Sequence, residues 1–235
     1  MKPSLPNLLS KHQQGFHPVV EFNPDTQTLI SMDFTAKNEE LTATILEDTD
    51  LFCRYIDSVL EKNNADVGIG GYAELRTVYN RSRVFDPERP GEEPRRLHIG
   101  TDIWAKAGTP VYAFMGGMVH SFAFNDRFGD YGATMILLHQ IDSLDFYTLY
   151  GHISLKDIQT LSAGQYITRG ERIAHIGEPK ENGQWPPHLH FQLIQDMELW
   201  EGDYPGVCRW SQREKYLTNC PDPDLILQMN QYVRK

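Results

Sequence analysis

Two histidines alternate in the segment PPHLHFQL, in the last third of the chain. In an extended strand, alternate side chains share a face. Leu189, Phe191 and Leu193 are therefore expected to face the core, with His188 and His190 together on the opposite face. Two imidazoles placed in this way can share one metal ion, or serve as one ligand and one neighbouring acid or base. The pair alone does not distinguish these roles from two surface histidines.

A second candidate pair lies in LHIGTDIW, where His98 and Asp102 are four residues apart. A straight strand would separate them by roughly 13 Å, which is too far for one shared ion. A helix would bring them together, but Ile, Gly and Thr between them are poor helix formers. A bend at Gly100, which has the backbone freedom for it, would also bring them together. An imidazole and a carboxylate are suitable ligands for zinc.

The third candidate is His152 in FYTLYGHIS, where a strand-like run meets a glycine. This motif says little by itself, and it gains weight only from the presence of the other two. His12 and His17 lie in the polar N-terminal stretch and are expected to be solvated. Three more histidines lie in strand-like runs without a charged companion and are expected to be structural: His120, His139 and His175.

Five motifs occur in one order over about 100 residues: HIGTD (98–102), GTPVYA (108–113), GDYG (129–132), YGHIS (150–154) and HLHF (188–191). In this combination the sequence resembles the lysostaphin-type zinc endopeptidases. That family is best known for cutting peptide cross-links of bacterial peptidoglycan. The resemblance implies a duplicated hybrid motif fold, mainly of antiparallel β-structure, with a groove floored by the sheet.

The resemblance also implies a division of roles among the candidate residues. His98, Asp102 and His190 would bind one Zn²⁺ per chain, and His152 and His188 would be the catalytic histidines. Three protein ligands leave a coordination position for water, which zinc acidifies while it polarises the scissile carbonyl. The two histidines would deprotonate that water, stabilise the tetrahedral intermediate and protonate the leaving amine. We therefore predict a zinc metallopeptidase acting on peptidoglycan-like or other small, flexible peptides.

The sequence departs from the family pattern around the HLH pair. Its approach is NGQWPP rather than a run of small residues, and Gln192 follows where the family often has Glu. We expect Trp185 to shape the groove beside the metal. Two alternatives stay open: a non-catalytic zinc-binding or interaction module, and a closed structural zinc site in which His188 is a fourth ligand beside His98, Asp102 and His190.

Short apolar runs separated by turn signals, with no helical crossovers between them, predict a mainly β fold with an antiparallel sheet. We place this peptidase core at residues 97–196. Residues 1–96 are predicted to form an appendage with one amphipathic helix (about 48–64), a strand-like stretch (72–85) and a connector (86–96). Residues 197–235 are predicted to be a tail that packs on the core. Residues 65–96 could occlude the groove, although an extra strand and helix that complete the fold are favoured.

Composition narrows the possible partners. The net charge of −10 argues against nucleic acid. No stretch approaches the roughly 18 consecutive apolar residues of a membrane span, so membrane insertion is not expected. The N-terminus lacks the apolar core of a secretory signal, which predicts a cytoplasmic protein unless a leader was removed. The three cysteines, Cys53, Cys208 and Cys220, are expected to be buried thiols rather than disulfides or metal ligands.

Overall fold

The computed structural model describes residues 4–234. Its strands are β1 (Leu29–Met32), β2 (Val67–Gly70), β3 (Glu74–Leu75), β4 (Leu97–His98), β5 (Thr101–Trp104), β6 (Pro110–Tyr112), β7 (Gly117–Asn125), β8 (Gly132–Ile141), β9 (Leu144–Ile153), β10 (Tyr166–Ile167), β11 (Arg172–His175), β12 (His188–Ile194) and β13 (Val207–Cys208). Its α-helices are α1 (Leu5–His12), α2 (Ala43–Glu47), α3 (Thr49–Lys62), α4 (Leu155–Ile158), α5 (Arg213–Asn219) and α6 (Asp224–Leu227).

One large sheet organises the chain, with the strand order β1-β2-β5-β12-β9-β8-β7-β10. Its neighbouring strands are antiparallel, as predicted, except for the parallel pair of β1 and β2 at one edge. Helices α2 and α3 lie between these two strands in the chain, and a parallel pair requires a crossover of this kind. Two small sheets, β11-β6 and β13-β4-β3, flank the large one.

The two faces of the sheet have different partners. On β12, Leu189, Phe191 and Leu193 belong to the largest apolar cluster, which also includes residues of α1 and α6. His188 and His190 lie on the opposite face of this strand, so the predicted alternation is confirmed. All seven residues of β12 are nevertheless buried, because other parts of the chain cover both faces.

Two smaller apolar clusters cover the histidine-bearing face. The first packs α2 and α3 against Trp104 and Trp185. The second joins residues of the main sheet to the C-terminal segment around Tyr204 and Cys220. The histidines lie between these two clusters, so both terminal regions of the chain help to bury them.

The predicted amphipathic helix is present as α3. It begins after Asp48, whose side chain accepts a hydrogen bond from the backbone N–H of Leu51, as an N-cap residue does. Phe52 and Ile56 are the buried residues of its apolar face. The region before the core is more helical than predicted, since α1 and α2 accompany α3.

The strand prediction for residues 72–85 is wrong over most of its length. Only Glu74–Leu75 forms a strand, which pairs with β4, and the chain then turns through two 3-10 helices, Val78–Arg81 and Arg83–Phe85. The Ser82 hydroxyl accepts a hydrogen bond from the N–H of Val84 and so stabilises the second turn. The turns bury Tyr79 and Phe85 against Trp185, a contact that a straight strand would not provide.

The C-terminal segment packs on the core through β13, α5 and α6. Cys208 and Cys220 are buried, Cys53 is half-buried, and none forms a disulfide. Among residues 4–234, no helix combines the length and the apolar character needed to cross a membrane.

His139 is a structural histidine of β8, as expected. Its Nδ1–H donates to the carbonyl of Gly116, and its Nε2 accepts from the hydroxyl of Thr148. His175, by contrast, does have a charged companion, because its Nδ1 lies 3.0 Å from the carboxylate of Asp157 in α4. A contact between residues 18 positions apart depends on the fold and not on the local pattern.

The burial of His139 predicts a pH-dependent stability. Burial lowers the pKa of His139 from 6.5 to about 4, so the unfolded chain takes up a proton first as the pH falls. The stabilisation is fully present above pH 6.5 and is lost towards pH 4, a change of about 3 kcal/mol in the free energy of unfolding. Urea denaturation of the wild type and His139→Gln at pH 7 and pH 4 should show a weaker pH dependence in the variant. The same substitution at half-buried His120 is the control, and equal pH dependence in wild type and His139→Gln would contradict the assignment.

Candidate metal centre and catalytic cleft

His98 and Asp102 meet because the chain changes sheets between them. His98 ends β4 in the small three-stranded sheet, and Asp102 lies on β5 in the large sheet. His190 lies directly opposite Asp102 in the antiparallel pair of β12 and β5. The register of that pair and the break between β4 and β5 together bring the three predicted ligands to one point.

Three atoms with lone pairs face one another at this point. The Oδ1 atom of Asp102 lies 3.2 Å from Nε2 of His98 and 3.0 Å from Nδ1 of His190. The two nitrogens are 3.0 Å apart. All three side chains are buried, and within residues 4–234 this is the group of His, Cys, Asp and Glu residues that could hold a metal ion.

Hydrogen bonds on the far side of each ring fix the tautomers of the two histidines. Nδ1–H of His98 donates to the carbonyl of Gly71 at 2.9 Å. Nε2–H of His190 donates to Oε1 of Gln192 at 2.9 Å, and the amide nitrogen of Gln192 in turn donates to the carbonyl of Pro205. In this tautomer of each ring, the nitrogen that faces Asp102 is an acceptor. This is the outer arrangement that orients histidine ligands of metals.

Ionisation reinforces the arrangement. Burial, together with nearby Arg76, lowers the pKa of His98 to about 4, so its ring is neutral at neutral pH. Burial opposes ionisation of Asp102, but the charged Arg76 guanidinium outweighs it while His98 is neutral, and the pKa of that carboxyl lies well below its usual value. Two lone pairs and a carboxylate therefore converge, which is repulsive without a cation. Two ligands of one tetrahedral zinc ion lie about 3.4 Å apart, close to the separations found here.

Gly100 makes this convergence possible, though not only through the predicted bend. A Cβ atom on Gly100 would lie 2.4 Å from Cε1 and 2.5 Å from Nε2 of His190. No side chain fits there without moving the imidazole.

His152 and His188 form a second pair beside the three ligands. Their ring centroids are 4.1 Å apart. Nδ1–H of His152 donates to the carbonyl of Asn182, and Nδ1–H of His188 donates to the carbonyl of Pro186. Nε2 of each neutral ring therefore carries the lone pair. His188 stacks on Trp104 with centroids 4.1 Å apart. Because its ring lies outside the group of three ligands, the structure gives no support to a four-ligand site that includes His188.

The environment of this pair suits proton acceptors. Burial, and secondarily the neighbouring His188, lowers the pKa of His152 well below its usual value. Burial lowers the pKa of His188 to about 4. Both rings are therefore neutral at neutral pH. His152 adopts a left-handed backbone conformation (φ 62°), which non-glycine residues seldom adopt and which recurs at active sites.

A cleft opens over the two groups of histidines. Asp102, His152, His188 and His190 lie in its lining. Most of the other lining residues are aromatic or charged, and Trp185 is among them, as expected. Residues 65–96 are the segment that could occlude the groove. Four of them line the cleft: Val78, Tyr79, Val84 and Phe85.

Several residues that support the site were not predicted. Buried Asn182 bonds through its side chain to the backbone N–H and carbonyl of Trp185 and presents its own carbonyl to His152. Its position in NGQWPP was the available signal. Gly71 and Arg76, which contact His98 and Asp102, had no signal in the local pattern.

The sequence of residues 96–201 matches the family model described as peptidase family M23. The chain contains a peptidase family M23 domain. This domain includes all five of the predicted site residues, whereas Gly71 and Arg76 precede it.

Similar proteins include the L-Ala--D-Glu endopeptidase of Bacillus subtilis, which is 32% identical over 148 residues, 60% of this chain and 43% of that protein. The peptidoglycan DD-endopeptidase ShyC of Vibrio cholerae is 30% identical, over 52% of this chain and 27% of that protein. The chain therefore spans less than half the length of these relatives. Among solved structures, the catalytic domain of lysostaphin from Staphylococcus simulans is 20% identical over 57% of this chain and 86% of that one, with a TM-score of 0.33.

We expect Gly100→Ala to weaken metal binding, because the new methyl group would displace the ring of His190. Moving one of three ligands should raise the dissociation constant for zinc by at least about 10-fold, as the loss of an outer-shell partner does. Competition titration with a zinc chromophore measures it. Gly15→Ala is the matched control, since no atom lies within 4 Å of the added Cβ. Wild-type affinity in Gly100→Ala would show that His190 is not a ligand.

Proposed function

We propose that this protein is a zinc-dependent metallopeptidase that hydrolyses peptide bonds in peptidoglycan-like peptides. The observation that carries the proposal is the convergence of three buried acceptor atoms, from His98, Asp102 and His190, beside the neutral pair of His152 and His188. The M23 domain supports it, since zinc dependence is a trait of that family.

The donor set supports zinc in particular. Two imidazole nitrogens and one carboxylate oxygen make up a set that zinc accepts in catalytic sites, where a fourth position stays open. A site for calcium or magnesium would instead be built mainly from oxygen atoms. We propose one ion per chain, held by these three residues.

His152 and His188 would carry the proton transfers. Zinc, when bound, supplies a Lewis acid that activates water and polarises the scissile carbonyl. A neutral imidazole whose Nδ1–H is tied to a backbone carbonyl has its Nε2 lone pair available as a base, and it can later return the proton to the leaving amine. The carbonyls of Asn182 and Pro186 hold the rings in that tautomer.

The substrate class rests on the relatives and on the cleft. The relatives are named for endopeptidase action on peptidoglycan or on an L-Ala–D-Glu bond. The mixed aromatic and charged lining of the cleft suits a peptide with ionised groups. We therefore infer a peptidoglycan-type stem or cross-link peptide as the substrate.

His152→Ala and His188→Ala should each lower kcat by at least about 100-fold, because each removes a positioned acid–base group. Zinc content should stay near that of the wild type, since neither residue belongs to the ligand group. Cleavage of purified peptidoglycan fragments, followed by mass spectrometry, and elemental analysis measure the two quantities. His120→Ala is the control. Full activity of both variants would contradict the proposed mechanism. A wild type that binds zinc but cleaves no peptide would indicate a non-catalytic binding module.

Chelation should abolish activity and leave the protein folded. Three apolar clusters stabilise the fold independently of the metal, so its removal forfeits only the binding free energy. Far-UV circular dichroism with and without a chelator measures the folded state. The activity assay, repeated after zinc is added back, measures the loss and recovery of activity. Cooperative unfolding on chelation at 25 °C would instead indicate a structural zinc site.

A further inference from the structure

Arg76, in the segment after β3, places a buried cation against the candidate metal centre. Its side chain is 2% exposed, although an arginine is rarely buried without partners. Nη1–H donates to Oδ2 of Asp102 at 2.5 Å, and Nε–H donates to Oε2 of Glu74 at 2.6 Å. The two carboxylates compensate the guanidinium charge and so allow its burial.

The same guanidinium also contacts the carbonyl group that orients His98. Nη2 of Arg76 lies 3.3 Å from the carbonyl oxygen of Gly71, which accepts the Nδ1–H of His98. One rigid, planar group therefore contacts a candidate ligand and the hydrogen-bond partner of another. Lysine could supply the charge but not this fork, because its ammonium is a point charge on a flexible stem.

The geometry separates the two oxygens of Asp102. Oδ1 faces His98 and His190 at 3.2 and 3.0 Å, while Oδ2 is bonded to Arg76. We propose that Arg76 is a positioning residue that restricts Asp102 to one metal–oxygen contact and thereby keeps the zinc site four-coordinate. This inference rests on the proposed metal site.

The charges of the network are compatible with cation binding. Asp102 and Glu74 together carry two negative charges, and Arg76 carries one positive charge. The remaining charge of −1 favours a divalent cation, so Glu74 offsets the repulsion that Arg76 alone would exert. Glu74 reaches this position because it pairs directly with His98 in the register of β3 and β4.

The test compares the wild type with Arg76→Met and Arg76→Lys by zinc affinity and by the absorption spectrum of the Co²⁺-substituted protein. Four-coordinate Co²⁺ absorbs visible light strongly, and five-coordinate Co²⁺ absorbs weakly. If Arg76 acts by position, both variants should bind zinc about 10- to 100-fold more weakly, and their Co²⁺ bands should lose intensity as Oδ2 becomes a second ligand atom. If it acts only by charge, Arg76→Met should bind zinc more tightly and Arg76→Lys should resemble the wild type.

Arg81→Met is the matched control. Arg81 is also a buried arginine of the N-terminal region, but it stacks on Phe52 and Trp185 and contacts none of the three ligands. We expect wild-type zinc affinity and a wild-type Co²⁺ spectrum from it.

Tighter zinc binding by Arg76→Met, or an unchanged affinity and spectrum, would overturn the inference. If Arg76→Met does not fold, Arg76→Lys, which keeps the charge, decides by the same criterion. A wild type that binds no zinc would overturn the proposed metal site itself.

Discussion

The arrangement of the candidate site depends on one electrostatic constraint, the enclosure of a carboxylate oxygen and two imidazole lone pairs within about 3 Å of one another, away from solvent. Such a group is repulsive unless a cation lies among its members. The surrounding chain prevents the two simplest ways to relieve that repulsion. Hydrogen bonds on the far side of each ring hold the ring protons away, and the two apolar clusters that cover the histidine-bearing face prevent the side chains from moving into solvent.

The orientation of the four site histidines relies mainly on backbone carbonyls. Gly71, Asn182 and Pro186 each accept an imidazole Nδ1–H, and only His190 uses a side chain, that of Gln192. A carbonyl only accepts, so it fixes the tautomer of a neutral ring. Gln192 matches this behaviour because Pro205 and Cys220 accept hydrogen bonds from its amide nitrogen, which turns its oxygen towards His190. The departure from Glu at this position therefore leaves an acceptor in place, without a charge.

The N-terminal region is built into the site. It adds β1 and β2 to the large sheet, lines part of the cleft and contacts two of the three candidate ligands through Gly71 and Arg76. These residues precede the M23 domain in sequence. The contacts of the candidate metal centre therefore extend beyond the domain, and the compensation of charge around Asp102 depends on Glu74 as well.

The sequence by itself determined the features that depend on local periodicity and on motif order. Alternation along β12 placed His188 and His190 on one face, and the helical spacing of residues 51–60 located α3. The requirement for a bend between His98 and Asp102 identified Gly100.

Tertiary structure decided the features that depend on which strands pair and in which register. The short pairing of Glu74 with His98, and the turns that follow, replaced the predicted strand over residues 72–85. The contacts of Arg76, Asn182 and Gly71 join residues 26 to 30 positions apart, and no local pattern encodes them. The role of Gly100 also became clear only in three dimensions, because the ring that occupies its side-chain space belongs to His190, on a strand that pairs with β5 only after folding.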